Sequence, residues 1–395
     1  MQLANGISTD DAAQTVTFHL SRPDPDLMYK LALPYAFAVP SDSPARDVGT
    51  HPLPATGPYM VTTFKPGAEV TLVRNPRFRE WSNAAQPAGY PDRISVLAAK
   101  SSAAVVKAVE RGKADVAAES VPPELEHEVE TQYARQVHIN PLHAATYLFL
   151  NTNVPPFDDV RVRRAVNYAA DRTAGIRASS RGTGGEPTCQ ILPPDFPGFQ
   201  RYCPYTLRPA PGHQWTAPNL DLARRLVMAS GTRGAAITVW VPDNHAGEAP
   251  FVAAIFRSLG YHARIERVRD RSYYGPTGPL NPRRRVQAGP FSWFADYPAP
   301  SNFITTFFGC RAPSNWSKFC DRRIDTTIQR ALRLQTTDPY LANQLWAGVD
   351  RALVDRAVVV PLFTLKEVDL VSSRVGNYQY NPQWGVLLDQ LWVRS

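Results

Sequence analysis

The sequence predicts an α/β protein of two lobes, on three observations. The chain has 395 residues, more than the roughly 250 to 300 that a single hydrophobic core sustains. Hydrophobic residues make up 44% and charged ones 20%, the balance of a folded chain rather than a disordered one. Strand-like alternation and helical spacing succeed one another along the chain, and one strand, helix and strand lie close enough together to form a parallel βαβ crossover.

Taken in order, Val16, Thr17, Phe18, His19 and Leu20 alternate behind Asp10 and Asp11, which reads as a strand entered from a turn. Residues 40–58 are rich in proline and predict an irregular connection. Residues 56–64 and 69–74 then form a hairpin closed by Lys65, Pro66 and Gly67. Ser101 or Ser102 caps a helix on Val105, Val106 and Val109, and Gly112 stops it. A short strand is expected at Asp115, Val116 and Ala117, and a buried one over 146–151. Asp158 and Asp159 cap a helix that puts Val162, Ala165, Val166 and Ala169 on one face and Arg161, Arg163 and Arg164 on the others.

From Asn219 the pattern sharpens. A helix on Leu222, Leu226 and Ala229 ends at Gly231, and a strand follows over 237–241. A helix on Phe251, Ile255 and Leu259 ends at Gly260, and a strand over 263–268 completes the crossover. Two long helices come next, on Ile324, Ile328 and Ala331 and on Leu341, Leu345, Val349 and Leu353. A buried strand over 357–363 brings the chain back.

Several function classes find no support. The net charge of +8 would suit nucleic acid or an anionic membrane, but the charges are dispersed. The one run, Arg283, Arg284 and Arg285 after Pro282, reads as a solvated loop. No apolar stretch approaches the ~20 residues of a membrane span. There is no G-x-S-x-G, P-loop or H-E-x-x-H pattern; His127 and Glu128 lack the second histidine. Gly182, Thr183, Gly184 and Gly185 precede Pro187 and read as a loop. His138 and His143, five apart in a strand, point to opposite faces and make a poor chelate, so they read as surface or satisfied core residues. No metal, catalytic residue or cofactor is expected.

The four cysteines fall as two close pairs, Cys189 with Cys203 and Cys310 with Cys320, without the knuckle spacing of zinc sites. They predict two disulfides and hence an oxidising compartment, with buried free thiols as the alternative.

Several stretches together resemble the peptide/nickel family, family 5, of ABC-transporter solute-binding proteins. They are Thr56-Gly57-Pro58-Tyr59 with its hairpin and Arg74-Asn75-Pro76, then Gly112-Lys113-Ala114-Asp115 after a helix. Tyr147-Leu148-Phe149-Leu150-Asn151 leads to Pro156-Phe157-Asp158-Asp159-Val160-Arg161-Val162-Arg163-Arg164-Ala165, and Trp293-Phe294-Ala295-Asp296-Tyr297-Pro298-Ala299-Pro300 comes last. The resemblance covers nearly the whole chain. It implies a periplasmic-binding-protein-like two-lobe clamshell, with lobe I over 1–151, lobe II over 152–362 and a return to lobe I over 363–395. Asn151 and Phe363 would mark the hinge strands. It implies an extracytoplasmic protein, periplasmic or anchored at the cell surface, that carries peptide-like ligands to a membrane permease and ATPase and acts as a monomer.

In peptide-binding members a carboxylate at the Asp296 position pairs with the ligand's α-amino group and an aromatic at the Trp293 position lines the pocket; Tyr297 stands beside them. On the residues alone, Asp296 reads first as the cap of a turn before Pro298 and Trp293 as a core residue; the resemblance reverses that order. The family also binds nickel complexes, haem and sugars, so the solute stays open, and a non-binding remnant or a secreted hydrolase are the other readings. Family members begin with an export signal and a further segment of lobe I, neither of which is visible here. Lobe I is therefore expected to be incomplete, with apolar surface left bare.

Overall fold

The computed structural model describes residues 6–179, 184–209, 212–281 and 283–394. The first part of the chain is built of small pieces. β1 (Ile7–Asp10) pairs antiparallel with β2 (Thr15–Phe18), and α1 (Leu27–Leu31) follows. β3 (Tyr59–Lys65), β4 (Glu69–Arg74) and β5 (Arg93–Leu97) form a three-stranded antiparallel sheet. Its expected hairpin turns through Gly67 at φ +69°, a conformation that glycine adopts without steric cost.

α2 (Ser102–Glu110) is capped by the Ser101 hydroxyl, which accepts from Ala104 N, and α3 (Pro123–Gln132) follows. The strand expected at 115–117 shrinks to a single bridge between Val116 and Val371. Ala117 N donates to Leu370 O and Val121 N to Val368 O. Four residues on one side thus oppose two on the other, and a ladder cannot continue through such a bulge.

β6 (Val137–Leu150) is far longer than the buried run predicted. After it come α4 (Val160–Ala169), α5 (Arg172–Ala178), β7 (Gly185–Pro187), α6 (Leu220–Ser230), β8 (Ala236–Pro242), α7 (Ala249–Ser258) and β9 (His262–Val268). The chain continues through α8 (Asp270–Tyr273), β10 (Ala288–Phe294), α9 (Pro300–Phe307), α10 (Arg322–Leu334), α11 (Pro339–Asp355) and β11 (Val359–Leu370). Four two-residue strands close it: β12 (Val375–Gly376), β13 (Tyr380–Asn381), β14 (Gly385–Val386) and β15 (Trp392–Val393).

One mixed sheet organises the larger part of the molecule, in the order β7-β11-β6-β10-β8-β9. β8 and β9 are parallel, as the crossover predicts, and β6 runs antiparallel to both β10 and β11. The pleat sends alternate residues of β6 into two separate cores. Ala144, Leu148 and Leu150 join a cluster with α4, α6 and α7, whereas Ala145, Tyr147 and Phe149 join one with α9, α10 and α11. The result is a sheet covered by helices on both faces, which explains why residues 144–150 of β6 and 359–365 of β11 are buried without a break.

The cap expected at Asp159 is present, and the structure adds two more. The side chains of Asp159, Asn219 and Asp338 each accept a backbone N–H in the first turn, contacts worth about 1 kcal/mol apiece. Two helical faces differ from expectation. On α6 the buried residues are Ala223 and Val227, flanked by half-buried Leu222 and Leu226, so Ala229 is exposed. On α4, Arg163 is not on a solvent face but buried: its Nη1 donates to Phe157 O at 2.8 Å and its Nη2 to Arg356 O at 3.0 Å. Arg172 is fully buried as well, giving its Nε to Thr188 O and Pro361 O, and burial pulls its pKa down to about 9. Arg163 ties two loops to α4 and Arg172 ties the Thr188 loop to β11, both through carbonyls, a role that charge alone does not reveal.

The loop readings fare well where they can be placed. Arg283, Arg284 and Arg285 are exposed, and Pro282 lies outside the described residues. Gly182 and Thr183 also lie outside them, while Gly185 opens β7 instead of a loop because it pairs with Leu365 at the sheet edge. Cys189 is bonded to Cys203 and Cys310 to Cys320, with Cα separations of 4.9 and 4.4 Å.

A third, smaller core joins Val106, Val109, Val121 and Val129 to Val368 and Leu370 at the far end of β11. β6 and β11 pair along their length and so run from the large sheet to this second body. Between residues 6 and 100 only Asp26 and Thr71 are buried. Tyr35 is 96% exposed there, and Met28, Trp81 and Leu97 are open as well.

Candidate functional site

β10 pairs with β6 from Ala288 opposite Leu150 to Phe294 opposite Ala144, and Ala295 N then donates to His143 O at 2.8 Å. Beyond that bond the strand ends, because Pro298 and Pro300 forbid further pairing and Pro300 opens α9. Asp296 thus stands in the turn between a central strand and a helix. Open α/β sheets carry their binding groups in such strand-end turns.

A residue not singled out in the sequence builds the turn. Asn302 is buried in the first turn of α9. Its Oδ1 accepts from Trp293 Nε1 at 2.8 Å and from Asp296 N at 3.1 Å, and its Nδ2 donates to Asp296 Oδ2 at 3.2 Å. One amide therefore fixes both the indole and the carboxylate. Trp293 is half-buried, with its ring edge-on to Phe307 at 5.1 Å. Asp296 itself is exposed, and among the described residues no cation pairs with it. The two predicted residues are brought together, and Asp296 is left with charge to offer.

Tyr297 turns the other way, toward the N-terminal segment. Its ring stacks on Tyr29 at 5.6 Å, and its hydroxyl lies 3.5 Å from the buried Asp26 carboxylate. Burial, reinforced by Asp26, pushes the phenol up to about 12, so it stays protonated and able to donate.

The two histidines go separate ways. His138 stacks on Tyr378 at 3.7 Å, whereas His143 sits edge-on to Phe196 at 4.7 Å. Of the two expectations, surface or satisfied core residue, His143 meets neither: it is half-buried. Its Nδ1 is buried and has no partner among the described residues, and burial lowers its pKa despite the pull of Asp195. A neutral ring two residues before Ala145, the partner of Trp293, is a further polar group beside the turn.

Asn151 lies at the end of β6, where its Nδ2 donates to Val286 O at 2.9 Å and its N to Gln287 O. Phe363 is buried in β11 beside two register irregularities, between Pro361 and Phe363 and between Thr364 and Lys366.

A helix-covered sheet and a second body reached by two long strands define a two-lobed fold. Residues 5–315 match the profile of the bacterial extracellular solute-binding proteins, family 5 Middle, and the chain belongs to that family. Its members bind solutes and are not known by a catalytic activity. The chain is 24% identical over 402 residues to the periplasmic oligopeptide-binding protein OppA of Salmonella typhimurium, covering 98% of this chain and 68% of that protein. It is 23% identical to a dipeptide-binding protein of Pseudomonas aeruginosa, covering 83% of this chain and 59% of that one. The chain spans about two thirds of the length of such curated relatives.

Among solved structures, the clavulanic acid biosynthesis oligopeptide binding protein 2 superposes with a TM-score of 0.83 at 23% identity, over 99% of this chain and 72% of that one. The unliganded open form of the periplasmic murein tripeptide binding protein MppA gives 0.76 at 22% identity, over 98% and 73%. Both share the two-lobe fold. No helix among the described residues is long and apolar enough to cross a membrane.

Proposed function

We propose that this chain is an extracytoplasmic peptide-binding protein that delivers di- or oligopeptides to an ABC permease and its ATPase, without catalysis. The observation that carries the reading is Asp296: an exposed carboxylate with no cationic partner among the described residues, held by Asn302 beside a half-buried tryptophan. A peptide's α-ammonium is the complement of such a group, and the indole offers a flat wall to the first side chain. Main-chain pairing to an extended ligand accommodates many side chains. The names of the relatives point in the same direction.

The lobe boundaries belong to the same reading. β6 and β11 carry the two crossings in this reading, with lobe I over 1–151 and 363–395 and lobe II over 152–362, although Ala144 to Leu150 of β6 already pair with β10 and pack with the helices of lobe II. Of the two hinge residues, Phe363 suits the role better, because the ladder is already irregular around it and hinges need only a few residues to absorb rotation. Asn151 is held within the sheet by Val286 and Gln287.

Titration calorimetry with tri-alanine and with N-acetyl-tri-alanine tests the proposal. Binding of the free peptide, weakened at least about a hundredfold by acetylation, is the expected result, since each 1.4 kcal/mol is a factor of ten. Equal affinity for both would remove the ammonium from the account.

A further inference from the structure

Asp26 is an unusual residue for the sparsely buried first part of the chain. It is 4% exposed, although a carboxylate is rarely buried without pairing. Its partners are distant in sequence. Asp26 Oδ1 accepts from Gln335 Nε2 at 2.6 Å, at the end of α10, and Asp26 Oδ2 faces the Tyr297 hydroxyl at 3.5 Å. Three residues on, the Tyr29 ring lies parallel to that of Tyr297, with 6° between the planes. The loop that presents them is braced locally: Lys30 Nζ pairs with Asp24 Oδ2 at 2.6 Å, and Asp26 N donates to Asp24 Oδ1 at 3.0 Å.

These contacts join residues 26–29 to residues 297 and 335. Under the two-lobe reading above, on which the inference rests, they cross from lobe I to lobe II beside the candidate site. Opening the clamshell must break them, and remaking them must return Tyr297 to one orientation. Since Tyr297 follows Asp296 directly, whatever fixes Tyr297 also limits where Asp296 can point.

The geometry points to a latch: Asp26 and Tyr29 grip Gln335 and Tyr297 across the cleft, hold the lobes closed and so position Asp296 for its ligand. Asp26 and Tyr29 are positioning residues in this account, acting through Tyr297. A latch of this kind biases an equilibrium between open and closed forms by its own differential contacts, and its loss raises the share of the open form.

Small-angle X-ray scattering of the unliganded 395-residue chain tests the latch without any ligand. Asp26→Ala, Tyr29→Ala and Gln335→Ala are each expected to increase the radius of gyration, while Tyr29→Phe, which keeps the ring, should match the parent. Asp26→Ala and Gln335→Ala combined should open the molecule no further than Asp26→Ala alone, because the Gln335 contact is one of the two that Asp26→Ala already removes. Stopped-flow binding of tri-alanine adds a second readout: the dissociation rate should rise about tenfold, the scale of a lost aromatic stack and hydrogen bond, with association not slowed. Unchanged scattering in all three alanine variants would overturn the latch, as would fully additive opening in the double variant. Asp296→Ala serves as the control that separates the two proposals, since it should weaken tri-alanine without changing the scattering. If the parent does not bind tri-alanine, the peptide reading fails and the scattering still decides the latch.

Discussion

Replacing Asp296 with alanine is expected to weaken tri-alanine binding by more than about a hundredfold. In the free protein the carboxylate is exposed and, among the described residues, bonded through its oxygens only to Asn302, so it carries little desolvation cost. Closure around a peptide would enclose it with the ligand's ammonium. Truncating one partner of an enclosed pair typically costs about 3 to 5 kcal/mol. Asp296→Asn separates charge from geometry, because the amide keeps the shape and can still accept from Asn302. Loss of binding in both variants assigns the effect to charge; loss in the alanine variant alone would assign it to the turn. N-acetyl-tri-alanine should be insensitive to either substitution. Calorimetry that finds both variants at parental affinity for the free peptide would leave Asp296 a turn residue.

Removing the disulfides should produce the largest loss of stability. Cys189 and Cys203 are 14 apart in sequence and Cys310 and Cys320 are 10 apart. In the chain-entropy model, closing a loop of about 15 residues stabilises by about 3 kcal/mol, and the shorter loop by slightly less. The second loop also carries Trp316, whose ring packs on Phe149, Phe291 and Tyr273 in the core under α9 and α10. Cys310→Ser with Cys320→Ser should therefore lower the urea midpoint and weaken the near-ultraviolet dichroism of that aromatic cluster. The Cys189 and Cys203 pair should affect the midpoint alone. A shift equivalent to less than about 1 kcal/mol for either pair would contradict the account.

Much of the fold was legible in the sequence because it is set locally. Capping side chains at 101, 159 and 219 fix helix starts, and Gly231, at φ +71°, ends α6 in the left-handed conformation. The βαβ unit needed only one strand, one helix and one strand within about thirty residues. β6 was underestimated because His138, Asn140 and Pro141 interrupt its apolar pattern. Pro141 is tolerated there since β10 has already ended at Phe294 and only β11 still pairs with that stretch.

The site was half legible. Trp293 and Asp296 belong to one short motif and were singled out by resemblance as candidates, but Asn302, which holds both, has no local signature beyond following Pro300. Asp26 was invisible, because its partners lie 271 and 309 residues away. Arg163 and Arg172 were misread or passed over for the same reason: a charged side chain suggests solvent, and only the fold supplies the carbonyls that bury it.

The central claim is that the chain captures peptides and releases them intact. Native mass spectrometry of the purified protein addresses it directly. The account predicts bound species that mild acid releases and tandem sequencing identifies as short peptides with free amino termini, recovered uncleaved after prolonged incubation with the protein. A bound nickel complex, haem or sugar in their place, or shortened peptides after that incubation, would contradict it.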